Sequence, residues 1–105
     1  MAISPRTRPL RREEALKQIS AHRTDLTRLG VRSLRLFGSV ARDDADAGSD
    51  VDVLVGIQPP HTWQRYVTIK FFLEDLLEHE VDLVMDEAVK PQMRAYIERD
   101  AIEVA

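Results

Sequence analysis

Cysteine is absent from the 105 residues of this chain. Disulfides, thiolate nucleophiles and cysteine zinc sites are thereby excluded, and a cytoplasmic setting is favoured. Long apolar runs are missing too. None approaches the roughly 20 residues of a membrane span, so no membrane association is expected. The opening residues MAISPRTRPLRREE lack the apolar stretch of a signal peptide. Positive charge is not in excess: the net charge is −3, so no global basic field points to nucleic acid, and direct nucleic-acid binding is not expected. Aromatics are scarce at 6 %, yet 44 % hydrophobic and 31 % charged residues match a soluble globular protein rather than a disordered one. The length suits one domain with a single core.

The first twelve residues carry Arg6, Arg8, Arg11 and Arg12, two prolines and no acid. Residues 1–12 read as a mobile or loosely docked basic arm, or as a contact for an acidic partner or RNA, ahead of a single domain over 13–105. Leu16, Ile19, Leu26 and Leu29 recur at helical spacing and predict a helix from Arg11 to Leu29, stopped by Gly30. VRSLRLF, Val31 to Phe37, alternates as a strand. GSVARDDA predicts a tight turn opening into a short helix. In DVDVLVGI, Asp50 to Ile57, the residues Val51, Val53, Val55 and Ile57 share one strand face, and Asp50, Asp52 and Leu54 share the other. QPPHT breaks the chain before a long helix from Trp63 to His79, in which Trp63 and Tyr66 are expected in the core and Phe71 or Phe72 outward. EVDLVMD predicts a third strand, and Pro91 opens a last helix to Arg99. AIEVA is either a short edge strand or a helix tail. These elements predict an α+β (or α/β-like) domain, with helices packed on a sheet of three or four strands.

Asp50 and Asp52 interrupt an otherwise apolar run. At i and i+2 on a strand they point the same way, with Cα atoms about 6.6 Å apart. Like charges this close raise each other's pKa unless a cation sits between them. Such carboxylates suit Mg²⁺, a hard ion that prefers oxygen. Two of them can hold the pair of ions that clamps an in-line phosphoryl or nucleotidyl transfer. Asp82 breaks the next strand in the same way and supplies a third carboxylate, as ligand or as base. Upstream, Gly38 allows close backbone approach at the mouth of a predicted helix. Ser39 adds a hydroxyl, and Arg42 a charged fork. Ten residues, Val40 to Ser49, separate this anion cradle from Asp50.

GSVAR, then GSDVDVLV, then VDLV closely resemble the minimal nucleotidyltransferases of the DNA polymerase β-like superfamily, and most of all the MNT antitoxins paired with HEPN-domain toxins. The resemblance implies that Gly38, Ser39, Arg42 and Ser49 bind the nucleotide. It also implies that Asp50, Asp52 and Asp82 hold Mg²⁺, two ions in all, and carry catalysis. ATP would be the substrate, and a tyrosine of a HEPN-type toxin would receive AMP and be neutralised, in a hetero-oligomer. The same resemblance leaves two alternatives: an antitoxin that only covers its partner, and transfer to a small molecule. One position departs from the family, where the residue after Arg42 is often glycine and here is Asp43. Asp43, Asp44 and Asp46 read as a solvated loop.

Other chemistries fit less well. A calcium loop starting at Asp43 would place Leu54 where glutamate is required. Ser39 has no G-x-S-x-G elbow, and GSVAR is not a Walker A loop. His22, His61 and His79 lack metal-ligand spacing and are expected at the surface or at helix ends.

Overall fold

The computed structural model describes residues 8–104. Nine elements follow one another: α1 (Arg12–Ala21), α2 (Arg23–Arg28), β1 (Val31–Phe37), α3 (Gly38–Arg42), β2 (Val51–Ile57), α4 (Trp63–Leu77), β3 (Val81–Met85), α5 (Pro91–Asp100) and β4 (Ile102–Glu103). A three-residue 3-10 turn, Asp86–Ala88, joins β3 to α5. The four strands form one mixed sheet in the order β3-β2-β1-β4. The β1–β2 and β1–β4 pairs are antiparallel, and β2–β3 is parallel. This is the α+β architecture that the alternation predicts.

The two faces of the sheet follow from the two-residue period. Val51, Val53, Val55 and Ile57 join Leu34, Leu36 and Leu83 in the main core, against Ala15 and Ile19 of α1 and Ile69, Leu73 and Leu77 of α4. Leu54 points the other way. With Phe37 and Ile97 it forms a smaller cluster beneath α5.

The expected single helix from Arg11 to Leu29 is two helices, because His22 leaves the helical region (φ −115°, ψ 26°) and starts a second one. Gly30 ends the pair at φ 99°, a left-handed value natural to glycine. The α4 helix is capped by Thr62, whose side chain accepts from the Arg65 N–H at 3.1 Å, and it stops at Glu78 in the left-handed region. Pro91 occupies the first turn of α5. Of the two readings of the last residues the edge strand holds for Ile102–Glu103, which pair with Leu36 and Arg35.

Three side chains lie differently from the sequence expectation. Trp63 is 75 % exposed and stacks on the half-buried Tyr66, their rings 5.5 Å apart. His79 follows the helix end as expected but is buried, with its ring nitrogens 2.8 Å from the Leu77 and Arg8 carbonyl oxygens. Asp43 is not free in solvent: its carboxylate accepts the Arg12 N–H at 2.9 Å, across 31 residues of sequence. Of the two phenylalanines, Phe71 faces outward and Phe72 packs partly on the core.

Residues 1–7 of the expected basic arm lie outside the described residues. From Arg8 onward the chain is tied down. The Arg8 guanidinium forks onto Glu14 at 2.8 and 3.0 Å, and Leu10 is buried. Among the described residues no helix is long and apolar enough to cross a membrane.

Candidate active site

The site is built on the centre of the sheet. Asp52 is the second residue of β2 and has a neighbour on each side: it pairs with Phe37 at the end of β1 and with Asp82 on β3. Register partners in a parallel pair share a face, so the Asp52 and Asp82 side chains stand side by side above the α5 face. Asp50 lies one residue ahead of β2 rather than within it, and is exposed. Val51 N–H donates to the Glu80 carbonyl at 2.9 Å, which ties the entry of β2 to the entry of β3 and sets their register.

The turn after β1 closes the other side. Phe37 is extended, Gly38 takes φ 73°, and α3 begins at once. A Cβ at Gly38 would fall on Oδ2 of Asp52, so glycine is required here by packing as well as by backbone conformation. Ser39 is half-buried in the same turn. Gly38 and Asp52, well separated in sequence, are thus brought together.

The electrostatics of the group are unbalanced. Loss of solvent around Asp52 pushes its carboxyl up to about 6, with Asp82 and then Asp50 adding to the rise and Arg42 opposing it. No hydrogen bond or ion pair among the described residues engages the carboxylates of Asp50, Asp52 or Asp82. Such a set fits a hard divalent cation, whose charge would reverse the rise. As placed, no group of three or more His, Asp or Glu side chains among the described residues forms a complete ligand set. Mg²⁺ ordinarily takes one or two carboxylates and completes its shell from phosphates and water, which is compatible with this arrangement.

Arg42 and Ser49 carry ties of their own. Arg42 Nε donates to Asp44 Oδ2 at 3.1 Å, and Nη1 donates to Asp100 Oδ2 at 2.8 Å. The Ser49 hydroxyl donates to Asp46 Oδ1 at 3.1 Å and accepts the Asp46 N–H at 3.0 Å, so it would have to turn to reach a phosphate. Asp43 closes α3 at φ 63°, a conformation that explains a glycine preference at this position. Its carboxylate offsets that strain by capping α1, whose own N-cap residue Arg11 offers no side-chain acceptor. The Arg12 N–H, helped by the Arg11 and Arg12 charges, holds Asp43 below the usual carboxylate range.

A separate groove of about 530 Å³ runs along α4, lined by Trp63, Tyr66, Val67, Lys70, Phe71 and Met85 among others. None of the three carboxylates lines it. Tyr66 Oη donates to the Leu83 carbonyl at 2.7 Å, so the groove wraps the β3 edge of the sheet.

This geometry coincides with a family match. The nucleotidyltransferase domain model matches residues 13–104. The chain belongs to the nucleotidyltransferase domain family. A protein adenylyltransferase, MntA, from Thermococcus cleftensis is 34 % identical over 93 residues, which cover 88 % of this chain and 94 % of that protein. A solved structure assigned as a minimal nucleotidyltransferase superposes with a TM-score of 0.77 at 33 % identity, over 89 % of this chain and 95 % of that one. The fold also recurs in a structure of a tri-AMPylated HEPN toxin from Shewanella oneidensis in complex with its MNT antitoxin, with a TM-score of 0.61 at 16 % identity over 86 % of this chain and 71 % of that one. This nucleotidyltransferase domain therefore has the minimal form of the fold, with four strands and no further sheet among the described residues.

Proposed function

We propose that this nucleotidyltransferase domain is an antitoxin that transfers AMP from ATP to a tyrosine hydroxyl of a HEPN-type toxin partner and so silences it. The observation that carries the reading is the side-by-side register of Asp52 and Asp82, with the Gly38–Ser39 turn pressed against Asp52 on its other side. Family membership and the adenylyltransferase relative support the same reading.

In this reading Asp50, Asp52 and Asp82 would hold Mg²⁺, two ions, which when bound supply charge neutralisation at the triphosphate. The residues of the chain do the rest. The Gly38–Ser39 turn receives the phosphates with backbone N–H groups and the Ser39 hydroxyl, and Arg42 adds a cation close by. The tyrosine oxygen bonds to the α-phosphorus while the bond from that phosphorus to the bridging oxygen of the β-phosphate breaks. Pyrophosphate leaves, and the tyrosine proton passes to Asp82, whose exposure on the edge strand leaves it reachable by an incoming protein.

The test combines the purified chain, Mg²⁺, ATP and its cognate HEPN partner, and reads the intact mass of the partner. A gain of one or more AMP units is expected. An unchanged mass overturns the reading.

A second reading, that the antitoxin works by covering its partner, is favoured by the groove along α4, where Trp63 and Phe71 are 75 % and 58 % exposed. Neutralisation that survives Asp50→Asn with Asp52→Asn would support it. Transfer to a small molecule is the least supported alternative, since the relative matched over 94 % of its length is a protein adenylyltransferase.

A further inference from the structure

We propose that Asp100 is a positioning residue for nucleotide binding, fixing the Arg42 guanidinium beside the Gly38–Ser39 turn so that its free N–H edge meets the triphosphate. The inference rests on the nucleotidyltransferase reading above.

Asp100 ends α5 and lies 58 residues from Arg42 in sequence. Its side chain is only 12 % exposed and receives Nη1 at 2.8 Å, the shorter of the two bonds that Arg42 makes to acids. The carboxylate is itself well anchored. The next residue, Ala101, packs on the Phe37–Leu54–Ile97 cluster, and Ile102 already pairs with Leu36 in the sheet. Phe37 also sets the start of the Gly38 turn, so one small core seats both the phosphate turn and the residue that holds Arg42.

A guanidinium has five N–H donors. Asp44 takes the one on Nε, and Asp100 takes one of the two on Nη1. Three remain, one on Nη1 and two on Nη2, and they are the donors left for phosphate oxygens. Arg42 ends the five-residue helix that the Gly38–Ser39 turn opens, which keeps it one turn from that site. Held on two sides, the side chain surrenders little further rotamer freedom when a phosphate arrives, and that saving appears as nucleotide affinity. A bare clip between α3 and α5 would instead affect stability and leave nucleotide affinity alone.

The test measures transfer to the cognate partner over a range of ATP concentrations, with melting curves, for the full chain and its variants. Asp100→Asn is expected to raise KM for ATP about tenfold, the worth of one charge-assisted hydrogen bond, with kcat changed less than about twofold. Asp100→Glu should recover at least half of that loss. Arg42→Lys should raise KM similarly, and adding Asp100→Asn to it should raise KM no further. An active wild type with unchanged KM in Asp100→Asn overturns the inference alone. So does an independent, multiplicative rise in the double variant. A melt lowered by more than about 5 °C, with activity tracking the unfolded fraction, overturns it in favour of the clip. A wild type that transfers nothing overturns the underlying reading and this inference with it.

Discussion

The two faces of the sheet are made from the same strands and do opposite work. On the face covered by α1 and α4, every inward residue of β2 is a fully buried Val or Ile, and the core is continuous from Ala15 to Leu77. On the face covered by α5, the buried cluster shrinks to Phe37, Leu54 and Ile97, and the rest of the surface is given to Asp52 and Asp82. A strand with a two-residue period can thus specify a stable interior and a charged workplace at once, with Val51 and Val53 bracketing Asp52 in sequence yet facing away from it. The rigid face holds the charged one in register.

This contrast can be broken from either side. The largest effect is expected from Asp50→Asn with Asp52→Asn, which should cut transfer to the partner by about 10³-fold or more while the fold survives, measured by partner mass and circular dichroism. Transfer at the wild-type rate would mean that the charged face is not the workplace. Next come matched truncations of the two cores. Leu73→Ala, in the large core, should cost about 3 kcal/mol in urea denaturation, and Ile97→Ala about 2 kcal/mol, because the smaller cluster beneath α5 can collapse onto its cavity. Equal costs would erase the asymmetry.

A subtler effect tests whether the charged face opposes stability. The Asp52 carboxyl, pushed up to about 6 from 3.8, binds its proton more tightly in the folded chain than in the unfolded one. Metal-free protein should therefore lose stability as pH rises from about 4 to 6 and stay at the lower level above that. A shift of this size corresponds to about 3 kcal/mol if unscreened, and to about 1–2 kcal/mol for a half-exposed carboxylate. Asp52→Asn in chelator should be more stable than wild type by that amount at pH 7.5 and equal to it below about pH 4. A gain that does not fade at low pH would rule out this electrostatic cause. The smallest effect belongs to Trp63→Ala, which should change stability by less than about 0.5 kcal/mol, since the ring is mostly in water. A larger loss in the melt would show that the first turn of α4 belongs to the core after all.

Much of this was legible in the sequence because it is local. The two-residue alternation in Val51 to Ile57 and in Val81 to Met85 marks the strands, and the places of Asp52 and Asp82 within them mark the charged face. What stayed hidden depends on long-range contacts. Nothing in AHRTD announces a break at His22, since the apolar spacing runs through it without a glycine or proline. Burial of His79 depends on the Arg8 carbonyl, 71 residues away. The capping role of Asp43 is set by a partner 31 residues distant, so it looked like an ordinary loop acid, and the Arg42–Asp100 pair spans 58 residues that no local pattern links.

The parallel pairing of β2 with β3 makes the three residues between α4 and β3 a spacing device. Their length, 78–80, sets which residue of β3 stands beside Asp52. Because the strand period is two, a one-residue slip of β3 would turn Asp82 into the core and Val81 and Leu83 out of it, so the buried face reinforces that register. The side chains of that connection are held as well: His79 is buried, with its ring nitrogens against the Leu77 and Arg8 carbonyl oxygens. In this small fold the position of a carboxylate in the site is thus stored in the apolar residues that face away from it.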